Sequence, residues 1–84
     1  MNVPASENFR LNLRVAMQAR GLTQRQVAES AGMQHPYVNR VLQGGTQPLM
    51  DQAERLAKAV GYPLTALLGN PGEFSEAVLT LVTK

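Results

Sequence analysis

The chain has 84 residues, a formal net charge of +2, 44% hydrophobic residues and no cysteine. That length allows one domain with a modest core, and the lack of cysteine excludes disulfides and thiol chemistry and makes the cytoplasm the expected compartment. No apolar run approaches the roughly 20 residues that span a bilayer, and the opening MNVPASEN has no basic segment followed by an apolar one, so no signal peptide is expected.

In chain order, residues 1–5 are expected to be flexible. Ser6 is placed to cap a helix running to about Ala19, with Glu7 near the positive end of its dipole. Phe9, Leu13, Ala16 and Met17 follow a helical spacing toward the core, and Gly21 ends the helix. Leu22 resembles a hydrophobic staple, and Thr23 with Gln26 is a capping-box pattern for the next helix. Val27, Ala28 and Ala31 form one apolar stripe. Gly32 then supplies the left-handed residue of a tight turn.

A third short helix follows, with Pro36 in its first turn, where no N–H is needed. Val38, Val41 and Leu42 form its buried face. Gln43-Gly44-Gly45-Thr46-Gln47-Pro48 is a turn. A fourth helix is expected from near Leu49 to just before Gly61, with Leu49, Met50, Ala53, Leu56, Ala57 and Val60 as a wide apolar stripe. It has no good capping side chain unless Thr46 or Gln47 reaches its start. Tyr62-Pro63 opens a fifth short helix through Leu64, Leu67 and Leu68 to Gly69, and Asn70-Pro71-Gly72 reads as a turn.

The last segment, EFSEAVLTLVTK, places Phe74, Ala77, Val78, Leu81 and Val82 on one helical face, while Val78 to Thr83 also has the composition of a strand. Helix is the preferred reading and strand the alternative. Its apolar surface either packs back on its own domain or joins a second subunit. The second is favoured, with Phe74, Val78, Leu81 and Val82 as dimerisation residues. The organisation expected is therefore all-α: residues 6–69 as one five-helix domain and 70–84 as a packing or dimerisation segment.

The third helix carries Gln34, His35, Asn39 and Arg40 on one exposed side. A thin apolar back and a hydrogen-bonding front suit a helix that reads base edges in a DNA major groove. Asn39 can donate and accept at once, which matches an adenine edge, and Gln34 can do the same. The Arg40 fork fits guanine O6 and N7 or a phosphate. His35 is donor or acceptor when neutral and a phosphate contact when charged. Tyr37 either touches backbone or a thymine methyl, or packs at the helix edge. For each polar residue the alternative is an ordinary solvent-facing side chain. Charge distribution favours the first reading. Residues 1–44 carry Arg10, Arg14, Arg20, Arg25 and Arg40 against Glu7 and Glu29, a balance of +3, whereas residues 45–84 balance to −1. A concentration of arginine in one half points to a phosphate-facing side.

These residues resemble the helix-turn-helix family of the lambda repressor and Cro type, also called XRE-like, from about Phe9 to Leu68. The resemblance rests on Gly21-Leu22-Thr23-Gln24, Val27-Ala28 and Ala31-Gly32. It continues through Val38, Val41 and Gly44 to Pro48 and Leu56-Ala57-Lys58-Ala59-Val60-Gly61. It implies a five-helix lambda-repressor-like bundle whose third helix enters the major groove, with Gln34, His35, Asn39 and Arg40 at or next to base-facing positions. It implies that Gln24 hydrogen-bonds a DNA phosphate, with Arg25 beside it, and that Gln43, Gly45 and Thr46 meet the sugar-phosphate backbone. It also implies a homodimer on a two-fold symmetric site. One departure stands out. The family's usual Arg in the first helix and Glu late in the third are here Met17 and Leu42. Exchanging both members of a buried ion pair for apolar residues is often neutral or stabilising, so Met17 and Leu42 are expected to meet.

The function expected is sequence-specific binding of double-stranded DNA by a small repressor-like regulator. The alternatives are the antitoxin of a toxin–antitoxin pair, with the toxin as protein partner, and a helical interaction bundle without DNA binding. The residues argue against an enzyme: one histidine, no cysteine, no HExxH and no Gly-rich phosphate loop. No cofactor or metal is expected.

Overall fold

Where the helices of this chain end is written mostly in its glycines, and those ends determine how the helices pack. A computed structural model describes residues 5–82, with side chains described for residues 6–78. The helices are α1 (Ala5–Arg20), α2 (Gln24–Ala31), α3 (His35–Gln43), α4 (Met50–Val60), α5 (Leu64–Leu67) and α6 (Pro71–Val82). No strand occurs among the described residues.

The Thr23 capping box forms as its spacing requires. The Gln26 N–H donates to Thr23 Oγ1 at 3.1 Å, and the Thr23 N–H donates to Gln26 Oε1 at 2.8 Å. At the other end of α2, Gly32 sits at φ 68°, where an L side chain is strained. Its N–H reaches the Glu29 carbonyl and that of Met33 reaches the Ala28 carbonyl, the doubled closure that satisfies the last free carbonyls of a helix. α1, α3 and α4 close with the same two bonds at Gly21, Gly44 and Gly61.

α1 packs against α3, α4, α5 and α6, and α4 packs against α2 and α5 as well. The core draws Phe9, Leu13, Ala16 and Met17 from α1, Val27, Ala28 and Ala31 from α2, and Val38, Val41 and Leu42 from α3. Ala53, Leu56, Ala57, Val60, Leu67, Phe74 and Val78 complete it. Every apolar position expected to face inward in α1, α2 and α3 does so.

Three expectations are corrected. Ser6 lies inside α1 rather than capping it, because the helix already includes Ala5; residues 1–4 lie outside the described residues. Leu49 and Met50 are 69% and 70% exposed, not core. Periodicity identifies the face of a helix, but not whether another element covers its first turn. The start of α4 lacks a side-chain cap, as its sequence suggests, and Gln52 Oε1, three residues past Leu49, accepts the Leu49 N–H at 3.0 Å. Lastly, Asn70-Pro71-Gly72 is not a free-standing turn but the start of α6. Asn70 Oδ1 accepts the N–H groups of Gly72 and Glu73 at 2.8 and 3.2 Å, and Pro71 takes the first helical position.

The final segment is helical throughout its described length. Phe74 and Val78, expected at a subunit interface, are buried in the chain's own core. α6 lies on α1, and the Phe74 ring meets Tyr62 edge-on at 5.2 Å between centroids. The side chains of Leu81 and Val82 lie outside the described residues.

A polar clamp ties this end to the bundle. α5 ends at Leu68 in right-handed helical conformation, without the glycine closure of α1 to α4. Its neighbouring carbonyls are taken by α1 instead. Asn12, fully buried, donates to the Leu67 and Gly69 carbonyls at 2.9 and 3.0 Å, and Asn8 donates to that of Leu68 at 3.3 Å. Each bond is worth about 1 kcal/mol net, and leaving a buried carbonyl without it costs about 1–3 kcal/mol.

Candidate nucleic-acid interface

α3 is held from behind by apolar packing and at both ends by polar ties. Val38 is fully buried, and Val41 and Leu42 are 1% exposed. At its start, the Tyr37 hydroxyl donates to Gln52 Oε1 at 2.7 Å, the same oxygen that accepts the Leu49 N–H. One amide oxygen therefore joins the first turn of α3 to the first turn of α4. Burial pushes the Tyr37 pKa above its usual 10.0, opposed by the nearby Arg40 charge. Tyr37 is half-buried and packs against the core. The Arg40 guanidinium lies over its ring, 6.0 Å from the centroid.

At the other end, Arg14 of α1 donates Nε and Nη2 to the Leu42 carbonyl at 3.0 and 2.6 Å. A cation on the last carbonyls of a helix complements the negative end of its dipole. Met17 and Leu42 are both buried, and both border one cleft of about 470 Å³ beside Gln24, with Arg14 on its rim. The charged tie between the first and third helices is thus kept, but Arg14, one turn before Met17, makes it to a backbone carbonyl.

On the front of α3, Gln34, His35 and Arg40 are exposed and Asn39 is half-buried. Gln34 occupies the N-cap position but its side chain caps nothing, and His35 and Pro36 follow as the first helical residues. Gln24 is half-buried at the first position of α2, and Arg25 is exposed beside it. Gln43 is exposed at the last position of α3. The Gly45 N–H, expected to meet the sugar-phosphate backbone, is instead donated to the Arg40 carbonyl at 2.8 Å. Thr46 is half-buried and lines a small cleft with Arg10 and Gly44.

The partners of the polar side chains divide the molecule. Outside α2 and α3, every described arginine and asparagine is hydrogen-bonded within the chain. Arg10 pairs with Glu7, and Arg14, Arg20 and Arg55 donate to the Leu42, Gly61 and Gly32 carbonyls. Asn8, Asn12 and Asn70 are bonded as described above. Within α2 and α3, the side chains of Arg25, Asn39 and Arg40 make no hydrogen bond or ion pair among the described residues. Neither do the side chains of Gln34 and His35.

A family model described as helix-turn-helix matches residues 13–67, well over half of the chain. The chain belongs to the helix-turn-helix family. Its type is that of the lambda repressor and XRE proteins, a family of DNA-binding domains, and the match runs from Leu13 of α1 through all of α2, α3 and α4 to Leu67 of α5. No curated protein and no solved structure matched the chain. Among the described residues no helix is long and apolar enough to cross a membrane.

Sequence reasoning missed three parts of this helix-turn-helix frame: Arg14, Arg55 and the Tyr37–Gln52 bond. Arg55 donates to Gly32 at the turn itself, at 3.1 Å. A signal for Arg14 was present, since it lies one turn before Met17 on the helix facing α3. Nothing local distinguishes Gln52 from any other helix-surface glutamine.

Proposed function

We propose that the chain is a sequence-specific regulator of repressor-like type that reads the DNA major groove with the front of α3. Gln34, His35, Asn39 and Arg40 face base edges, and Asn39 and Arg40 are the residues whose chemistry matches single bases, adenine and guanine. Gln24 and Arg25 at the start of α2, with Gln43 and Thr46 at the end of α3, hold the phosphates and fix the register. Gly45 contributes close backbone approach rather than an N–H. The observation that carries the reading is the division of polar partners. The arginines and asparagines of the frame are hydrogen-bonded within the chain, while the side chains of Arg25 on α2, and of Asn39 and Arg40 on α3, whose back is immobilised, make no hydrogen bond or ion pair among the described residues.

Binding as a homodimer to a two-fold site is part of the same proposal. With Phe74 and Val78 used inside the fold, a subunit contact through α6 would fall to the rest of that helix.

Selection of bound sites from a pool of random duplex DNA tests the proposal. A recurrent motif is expected, with affinity that falls steeply as salt rises. Two half-sites one helical turn apart would support the dimer. Recovery of no motif would overturn sequence-specific reading, and an affinity insensitive to salt would overturn DNA binding altogether.

A further inference from the structure

We infer that Arg10, near the start of α1 and outside the helix-turn-helix, is an additional phosphate ligand that Glu7 holds in place until DNA arrives. The inference rests on the DNA-binding reading above and extends its footprint to a third helix.

Arg10 lies at the interface side of the bundle. A Cβ placed on Gly44, the residue that closes α3, would lie 3.5 Å from both Cδ and Nε of Arg10. Arg10, Glu7, Gly44 and Thr46 together border a cleft of about 70 Å³. Thr46 is one of the residues assigned to the sugar-phosphate backbone, so the guanidinium is beside that contact. The negative end of the α3 dipole favours a cation here.

Its bonding differs from that of the other frame arginines. Arg14, Arg20 and Arg55 donate to backbone carbonyls at the ends of other helices. A phosphate could take those arginines only by undoing a helix end. Arg10 instead pairs with a carboxylate, three residues earlier on the same helix. The Glu7 side chain is 45% exposed, so water can solvate it once it is displaced. A phosphate presents the same geometry to a guanidinium as a carboxylate does, and both form paired charge-assisted bonds with it. Exchange of Glu7 for a phosphate therefore conserves the bonding of Arg10 and returns Glu7 to solvent. The Arg10 side chain is only 24% exposed, which keeps it close to its working position before DNA binds.

The test is a salt titration of affinity for a short random-sequence duplex, using the full chain and four variants. For wild type, log K against log salt should be linear. Arg10→Gln should lower the slope by about 1, as loss of one phosphate contact does, and Arg10→Lys should restore it. Arg25→Gln, an exposed arginine in the motif itself, should lower the slope by a similar amount. Glu7→Gln should tighten binding several-fold at low salt, because the competitor of phosphate is gone. That variant keeps the idea testable if Arg10→Gln does not fold. A slope lowered by Arg25→Gln but unchanged by Arg10→Gln would overturn the role of Arg10 and leave the main reading intact. Unchanged affinity in Glu7→Gln would overturn the exchange. A wild-type chain with no salt-dependent affinity would overturn both readings.

Discussion

The frame made by α1, α4, α5 and α6 ties its described arginines and asparagines to groups within the chain, and the outer side of α2 and α3 leaves Arg25, Asn39 and Arg40 without such ties among the described residues. Arg14 and Arg40 illustrate the difference. Both are exposed arginines in the first half of the chain, and composition alone treats them alike. Arg14 closes the end of α3 through the Leu42 carbonyl, whereas the Arg40 guanidinium, on the front of that helix, makes no hydrogen bond or ion pair among the described residues and lies over the Tyr37 ring. The positive charge that favoured a phosphate-facing side is therefore mostly structural. Of the five arginines in residues 1–44, Arg25 and Arg40 have guanidinium groups with no hydrogen bond or ion pair among the described residues, and Arg10 is tied to a carboxylate rather than to a helix-end carbonyl. A small domain with a modest core uses arginine to fix its helix ends, as Arg14, Arg20 and Arg55 do at the Leu42, Gly61 and Gly32 carbonyls.

The largest expected effect is in the frame. Asn12→Ala removes two bonds to the carbonyls of Leu67 and Gly69 in a fully buried site, and should cost on the order of 3 kcal/mol in urea unfolding. A loss below about 0.5 kcal/mol, the range of ordinary surface changes, would remove the clamp from the account.

On the front, Asn39→Ala should cost about 1–3 kcal/mol of preference for a selected site over random DNA. Gln24→Ala should weaken both by similar factors, since phosphate contacts carry no sequence information. If the two variants behaved alike in competition binding, the assignment of base and phosphate roles would be wrong.

Smaller still is Arg14→Gln, which should lower stability by about 1 kcal/mol through the Leu42 carbonyl, while Arg25→Gln should leave the melting temperature unchanged. The smallest effect concerns pH. Because burial raises the Tyr37 pKa in the folded state, the unfolded chain ionises first as pH climbs past 10.0. The stability this residue contributes is thus complete below that pH and is lost as pH rises through the folded value. Tyr37→Phe should flatten that alkaline decline in thermal unfolding, and an identical decline in both proteins would show that the buried phenol is not its source.

Much of the fold was readable because local chemistry and tertiary packing agree. Thr23 and Gln26 announce one helix start, four glycines announce four helix ends, and the buried faces of the first three helices follow their spacing. Errors arose where a local pattern has more than one use. Asn-Pro-Gly serves a turn or a helix start, and the bonds from Asn70 Oδ1 make it the second. Met50 is in phase with Ala53 and Ala57, yet it lies at the mouth of a groove with Pro48, Leu64 and Leu68. At the candidate site, the front residues were readable from polarity and spacing. Their supports were not, because Arg14 to Leu42 and Tyr37 to Gln52 join residues 28 and 15 positions apart. Asn12 did leave a trace: its position is in phase with Phe9, Ala16 and the rest of the buried stripe, where an amide must find partners.

The most direct test of the division between frame and front is one protein measured in two ways. The Asn39→Ala, Arg40→Ala double variant should melt at the same temperature as wild type and bind a selected site about tenfold or more weakly. A lowered melting temperature with unchanged affinity for that site would place both residues in the frame and contradict the account.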